Sequence, residues 1–283
     1  MEIKMSEYAK SLKKGTSLSF FNRAFDKNTF SAIKNAGIDC VEMAGKFDDY
    51  VHKLGFLERA EECGQMVTDA GLELWSLHLP FGQCYDTSNL RDFERDYALA
   101  INTELIKAAA RAGAKVCVLH ASSSLFGEDE YKKRLPRAND AIKRMSKTAN
   151  KVGVTLAVEN QPKSIPTRYP WLMEKLLHGS CAKLCYDANH SLYMPGLDYL
   201  DGCIQLGMEL ATVHLSDYDF IDERHRMPGD GINDWNALLS YFEKIGYKGP
   251  LMYEVSRKPA DRDVTYTIEQ LSENMTKLVN GEL

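Results

Sequence analysis

No run of apolar residues in the 283-residue chain approaches the roughly 20 needed to cross a bilayer, so no membrane span is expected. The first ten residues, Met1 to Lys10, lack the apolar centre of a secretory signal. There is no surplus of positive charge either. Lys and Arg number 35 against 40 Asp and Glu, a net charge of -5, and this removes the composition-level signal for nucleic acid. The seven cysteines, at 40, 63, 84, 117, 181, 185 and 203, are odd in number and mostly sit in apolar runs. They read as reduced, buried thiols of a cytoplasmic protein. Cys181 and Cys185 come nearest to a pair, and no second pair completes a zinc site. No Pro/Ser-rich linker or low-complexity stretch divides the chain, so residues 1–283 are expected to form one domain. A Gly-rich dinucleotide fingerprint after the first strand is also missing, since Phe20-Phe21-Asn22-Arg23 stands there.

What is present is a strict alternation of strand and helix patterns. Strands are expected at Thr16–Phe21, Ile38–Met43, Leu72–Leu79, Lys115–His120, Val154–Glu159, Ala182–Asp187, Leu210–Leu215 and Pro250–Val255. Helices are expected at Asp26–Ala36, Leu57–Ala70, Leu90–Ala112, Glu130–Val152, Tyr169–His178, Leu197–Leu206, Trp235–Ile245 and Val264–Val279. Gly37, Gly71, Gly113, Gly153 and Gly246 stand where several helices should stop. Eight such units predict an α/β fold with a parallel sheet, closed as a (β/α)8 TIM barrel.

In such a barrel chemistry gathers at the C-terminal ends of the strands. Those ends read His78, His120, Glu159, Asp187, His214 and Glu254. Side chains alternate along a strand. Glu159 therefore shares a face with Thr155 and Ala157, Asp187 with Lys183 and Cys185, His214 with Thr212, and Glu254 with Met252. The opposite faces are large and apolar, suited to packing against outer helices. The four residues Glu159, Asp187, His214 and Glu254 would then point into the barrel mouth together. A single charge at a strand end most simply makes an ion pair, but three converging carboxylates repel unless a cation joins them. Three carboxylates and an imidazole suit one divalent ion: Mn²⁺, Co²⁺, Mg²⁺ or Zn²⁺. In the loop after the seventh strand, Arg224, His225 and Arg226 are candidates to reach substrate hydroxyls or a phosphate, and Gly229 and Gly231 permit a tight turn.

Six short motifs carry a resemblance: Leu77-His78-Leu79-Pro80, Val158-Glu159-Asn160, Asp187-Ala188-Asn189-His190, Val213-His214-Leu215-Ser216-Asp217, Pro228-Gly229-Asp230-Gly231-Ile232-Asn233-Asp234-Trp235 and Tyr253-Glu254. In their order and spacing the chain resembles the xylose-isomerase-like barrel superfamily. That group holds sugar-phosphate isomerases and epimerases, ketose 3-epimerases, inosose isomerases and endonuclease IV. For the sugar enzymes the resemblance implies that Glu159, Asp187, His214 and Glu254 hold one metal. It further implies that Glu159 and Glu254 act as acid and base, and that His190 touches a sugar or sugar-phosphate substrate. His78 and His120 join the expected substrate shell. A homo-oligomer is left open.

Two alternatives stand beside this. Endonuclease IV-like AP endonucleases use a three-zinc site, and His78, His120, His190 and His225 would supply most of the additional ligands. The chain departs from that pattern at Glu223-Arg224-His225, where Glu replaces Asp, and the acidic balance gives no support for phosphate-backbone binding. The other alternative is a sugar-binding barrel without catalysis, against which both glutamates speak.

Overall fold

A computed structural model describes residues 7–44, 48–122 and 126–283, so the first six residues of the polar N-terminus lie outside the described residues. Its eight strands are β1 (Lys14–Ser17), β2 (Cys40–Met43), β3 (Glu73–His78), β4 (Val116–Leu119), β5 (Thr155–Glu159), β6 (Lys183–Asp187), β7 (Leu210–His214) and β8 (Leu251–Tyr253). The helices between them are α1 (Glu7–Ser11), α2 (Lys27–Asn35), α3 (Ala60–Asp69), α4 (Asp92–Arg111), α5 (Glu128–Val152), α6 (Pro170–Leu177), α7 (Gly196–Gln205), α8 (Trp235–Lys244) and α9 (Ile268–Asn280). All strand pairs are parallel, in the order β7-β6-β5-β4-β3-β2-β1-β8. The ring closes where the Leu215 N–H donates to the Met252 carbonyl at 2.8 Å and the Glu254 N–H donates to the Leu215 carbonyl at 3.1 Å. The expected (β/α)8 barrel is thus borne out. No helix among the described residues is long and apolar enough to cross a membrane.

Several boundaries differ from expectation for local reasons. The first strand ends at Ser17, not Phe21, because the Ser17 hydroxyl accepts from the Ser19 N–H and opens a 3-10 turn over Leu18–Phe21. The last helix begins at Ile268, not Val264. Thr267 and Gln270 form a reciprocal capping box there, which fixes the start four residues later than apolar periodicity suggests. The short helix α1 has no counterpart in the expected elements. Helix stops fall as expected: Gly153, at φ 80, closes α5 with its N–H on the Ala149 and Asn150 carbonyls.

The strand phases divide the core in two. Leu156, Val158, Leu184, Tyr186, Val213, Leu215, Leu251 and Tyr253 pack outward with the helices, while Val116, Val118, Ala157 and Cys185 form a small cluster inside the ring. Two β-bulges adjust the inside. In the β2–β3 ladder Val41 faces Leu74 and Glu42 faces Ser76, so Trp75 is the extra residue. In the β6–β7 ladder Ala211 is skipped between Leu210 and Thr212. Trp75 and Ala211 both pack on the inner cluster. Each bulge lets two successive side chains face inward and restores the phase that brings Ser76, His78 and His214 to the barrel mouth.

Gly64 marks the tightest helix contact. A Cβ there would lie 2.1 Å from the Ala112 carbonyl oxygen at the end of α4, and that backbone cannot yield cheaply. Gly64→Ala is expected to destabilise the protein by about 1–3 kcal/mol, the usual scale of overpacking. Urea unfolding should show a lower midpoint at unchanged m-value; an unaltered midpoint would contradict the contact.

Candidate active site

Four side chains from neighbouring strands meet above the inner cluster. Glu159 ends β5, Asp187 ends β6, His214 ends β7, and Glu254 follows β8 by one residue. One ligand atom from each of the four falls within a common 4.8 Å span. From His214 Nδ1, the Glu254 Oε2 atom lies at 2.9 Å, Glu159 Oε1 at 3.4 Å and Asp187 Oδ2 at 4.0 Å. These four atoms are also buried without a hydrogen-bond partner. They approach one another closely but are not aligned as donor and acceptor. They lie close enough together for one cation to bridge them, and His190 Nδ1 stands 3.2 Å from Glu159 Oε1 and 3.3 Å from Asp187 Oδ2. The donor set of three carboxylate oxygens and one imidazole nitrogen fits a divalent ion.

Backbone clamps set these directions. The Asn160 side-chain carbonyl accepts from the Asp187 N–H at 2.8 Å, and its amide donates to the Asp187 carbonyl at 2.9 Å. This ties the ends of β5 and β6 together. Asp187 Oδ1 accepts from the Asn189 N–H at 2.6 Å, leaving Oδ2 for the centre. Asn189 in turn accepts from the Arg224 and His225 N–H groups at 2.9 and 3.2 Å. That anchors the loop after β7 and holds His225 at φ 48. The same loop is organised by buried Asp217, which accepts from the N–H groups of Tyr218, Gly229 and Asn233 and from the Trp235 indole. Gly231 passes so close that a Cβ would lie 2.4 Å from the Asp217 carboxylate, so the expected tight turn has a steric cause.

The histidines line the same chamber. His78 and His120 both direct Nε2 at Glu159 Oε2, at 3.2 and 3.1 Å. His190 Nδ1 donates to the Asn160 carbonyl at 2.9 Å, and its Nε2 lies 3.2 Å from Glu223. His225 stands edge-on to His190, with ring centroids 5.7 Å apart. Two further groups, His78–His120–Glu159 and His190–Glu223–His225, also bring their ligand atoms within 4.8 Å. Arg224 and Arg226 differ from the rest: Arg224 pairs with Asp219, and Arg226 with Asp219 and Asp261. Both guanidinium groups already have carboxylate partners.

Charge in this chamber is strongly coupled. Burial raises the Asp187 carboxyl well above the usual range, and the nearby Glu159 and Glu254 charges add to that. Burial acts the same way on Glu159, but the His214 and His120 charges outweigh it and hold the group low. Glu254 is similarly opposed by burial and brought down to about 2 by His214. Burial disfavours charge on His78, and its contact with Glu159 overcomes this and raises it to about 9.

Sequence reasoning missed several residues here. Glu42 on β2 is fully buried and bonded to His214, at 2.9 Å from its Nε2. The strand-end rule applied to β2 nominates it, because it is a lone carboxylate at the end of an apolar strand. Asn160, Asn189 and Asp217 lay within the quoted motifs, but their clamping roles depend on contacts across loops. Phe81, 55% exposed, sets its ring 4.7 Å from that of His120 at the rim, tilted by 32°.

A buried carboxyl raised in the folded state favours the protonated fold. Its cost is absent below the ordinary carboxylate range and complete above the raised value. Asp187→Asn keeps the Oδ1 acceptor and removes the charge. The metal-free variant should therefore be more stable than wild type at pH 7, with the gap closing as pH falls toward 4. Added Mn²⁺ should raise the melting temperature of wild type only. A variant less stable than wild type, or still stabilised by Mn²⁺, would contradict this.

A family model described as xylose isomerase-like TIM barrel matches residues 30–275. The chain is 27% identical over 229 residues to Uncharacterized protein y4fM of Sinorhizobium fredii (strain NBRC 101917 / NGR234), covering 71% of each. Among solved structures, a D-tagatose 3-epimerase-like protein superposes with a TM-score of 0.79 at 15% identity, over 95% of this chain and 97% of that one. L-ribulose 3-epimerase gives 0.77 at 15% identity, over 96% and 94%. The apo 3-keto-D-glucoside 4-epimerase YcjR from E. coli gives 0.72 at 17% identity, over 94% and 98%. At these identities the structural likeness is one of fold. With the family model spanning nearly all of the barrel, the chain belongs to the xylose isomerase-like TIM barrel family.

Proposed function

We propose that the protein is a metal-dependent sugar isomerase or epimerase that moves a proton through an enediolate. The single observation that carries this reading is the convergence of four unpartnered, buried ligand atoms from Glu159, Asp187, His214 and Glu254. The names of the similar structures, two sugar epimerases and a D-tagatose 3-epimerase-like protein, support it. In this reading residues 1–283 form one catalytic domain, and the seven unpaired cysteines support a cytoplasmic setting.

Glu159, Asp187, His214 and Glu254 would hold one divalent cation, Mn²⁺, Co²⁺, Mg²⁺ or Zn²⁺. Such a cation supplies the Lewis acidity that lets a carbon acid beside a carbonyl ionise near neutral pH. The remaining work falls to the chain. Glu159 and Glu254 follow β5 and β8, which stand apart around the ring, so a sugar or sugar phosphate lying between them offers each a different face. One glutamate removes the C–H proton, and the other returns a proton to the opposite face of the same carbon, which inverts it. Return to the neighbouring carbon by one group would instead interconvert aldose and ketose. Glu159 Oε2 already contacts His78 and His120, which gives its proton an exit and orients the carboxyl. His190 and His225 offer ring nitrogens to substrate hydroxyls, and Phe81 offers an apolar face at the rim.

A second reading is favoured by the two flanking ligand groups, His78–His120–Glu159 and His190–Glu223–His225. Three cations in a row would suit hydrolysis of a phosphodiester at an abasic site in DNA.

Glu159→Gln and Glu254→Gln keep shape and one oxygen but remove the base. Each should lose at least about a hundredfold in turnover while substrate binding survives. Deuterium wash-in from solvent, followed by NMR on a panel of ketoses and their phosphates, measures this. EDTA should silence the wild type, and one of the four cations should restore it. Near-normal turnover in either Gln variant removes that residue from the mechanism. Robust metal-dependent incision of abasic duplex DNA, with no exchange on any sugar, would favour the second reading.

A further inference from the structure

Glu42 has no part in the chemistry just described, yet it is one of the most deeply buried charged side chains in the protein, at 0% exposure. It projects from β2 into the ring and reaches β7, three strand steps away through β1 and β8. Its Oε2 atom accepts from the Ser76 hydroxyl at 2.8 Å and from His214 Nε2 at 2.9 Å. Oε1 has no partner. Burying a carboxylate this poorly solvated is costly, and an apolar residue would fill the position without that cost. Its retention needs a reason.

The reason lies in the two nitrogens of an imidazole. A carboxylate accepts hydrogen bonds and donates none, so the ring nitrogen that faces it must carry the hydrogen. In neutral His214 the other nitrogen, Nδ1, is then bare, and it is the one aimed at Glu159, Asp187 and Glu254. That nitrogen then turns its lone pair toward the carboxylate oxygens among which a cation would sit. We propose that Glu42, held in place by Ser76, is a positioning residue that fixes the tautomer and ring orientation of His214 so that Nδ1 is presented to the divalent-cation site. The inference rests on the metal-site reading above. The bulge at Trp75 supplies the geometry, since without it Ser76 would not stand opposite Glu42 in the ladder. The Ser76 hydroxyl bonds the same carboxylate oxygen that meets the imidazole and so helps to hold the Glu42 carboxylate in place.

The test is cation affinity, measured with Mn²⁺ and Co²⁺ alone by competition against a chromophoric chelator, on wild type, Glu42→Leu, Glu42→Gln and Ser76→Ala. Loss of an outer carboxylate behind a ligating histidine typically costs about 10–100-fold in metal affinity. Glu42→Leu should show a loss on that scale. Glu42→Gln, which keeps an acceptor but loses the charge, should show a smaller loss, and Ser76→Ala the smallest. The visible spectrum of the Co²⁺ form should shift in both Glu42 variants, whereas a purely structural carboxylate would leave it unmoved. The metal-free Glu42→Leu protein should melt no lower than metal-free wild type, because the affinity effect is not a folding effect. Unchanged affinity and an unchanged Co²⁺ spectrum in the Glu42 variants would overturn the inference, and if Glu42→Leu fails to fold, Glu42→Gln decides it. Failure of wild type to bind either ion would instead overturn the metal-site reading itself.

Discussion

Three carboxylates forced into one dry chamber are the constraint on which the rest of this structure turns. Glu159, Asp187 and Glu254 come from the ends of β5, β6 and β8, whose phases bring all three carboxylates together with His214 of β7. The fold tolerates them by surrounding them with imidazoles, four of which lie within hydrogen-bonding reach of these groups. His78, His190 and His214 are raised above the ordinary imidazole range despite burial and so offset the charge of the cluster in the absence of a cation, whereas burial holds His120 low. In the proposed reading such an arrangement would bind a divalent ion by exchanging protons for charge, and affinity should weaken as pH falls.

The precision of the site comes from backbone clamps. Asn160 bonds both the N–H and the carbonyl of Asp187, so the spacing between the ends of β5 and β6 is set by one rigid side chain. Asn189 and Asp217 do the same for the loop after β7, drawing in five backbone N–H groups between them. Loops that carry function over a barrel mouth would otherwise lose orientation to thermal motion. Here short polar side chains stand in for a ladder. The two β-bulges act at the level below, re-aiming β3 and β7 by one residue each.

Much of this was legible in the chain before any coordinates. Alternating strand and helix patterns with glycine at the junctions identify a barrel, since each βα unit must bury one strand face against its own helix. Alternation along Thr155, Ala157 and Glu159 against Leu156 and Val158 correctly separates the inside from the outside. The cluster of Glu159, Asp187, His214 and Glu254 follows from that phase. What was not legible depends on contacts distant in sequence. Glu42 gains its meaning from a partner 172 residues away, and only closure of the ring brings the two together. One partner of Arg226 is hidden for the same reason, because Asp261 lies beyond β8. The 3-10 turn after β1 was missed because Leu18, Phe20 and Phe21 look like strand, while the decisive bond belongs to the Ser17 hydroxyl.

The number of divalent ions held by one chain tests the account most directly. Protein stripped with chelator, saturated with Mn²⁺ or Zn²⁺ and freed of excess should be weighed by native mass spectrometry and assayed by elemental analysis. One ion per chain, lost on substitution of His214 by Ala, is the predicted result. No ion, or three ions that survive the same exchange, would contradict it.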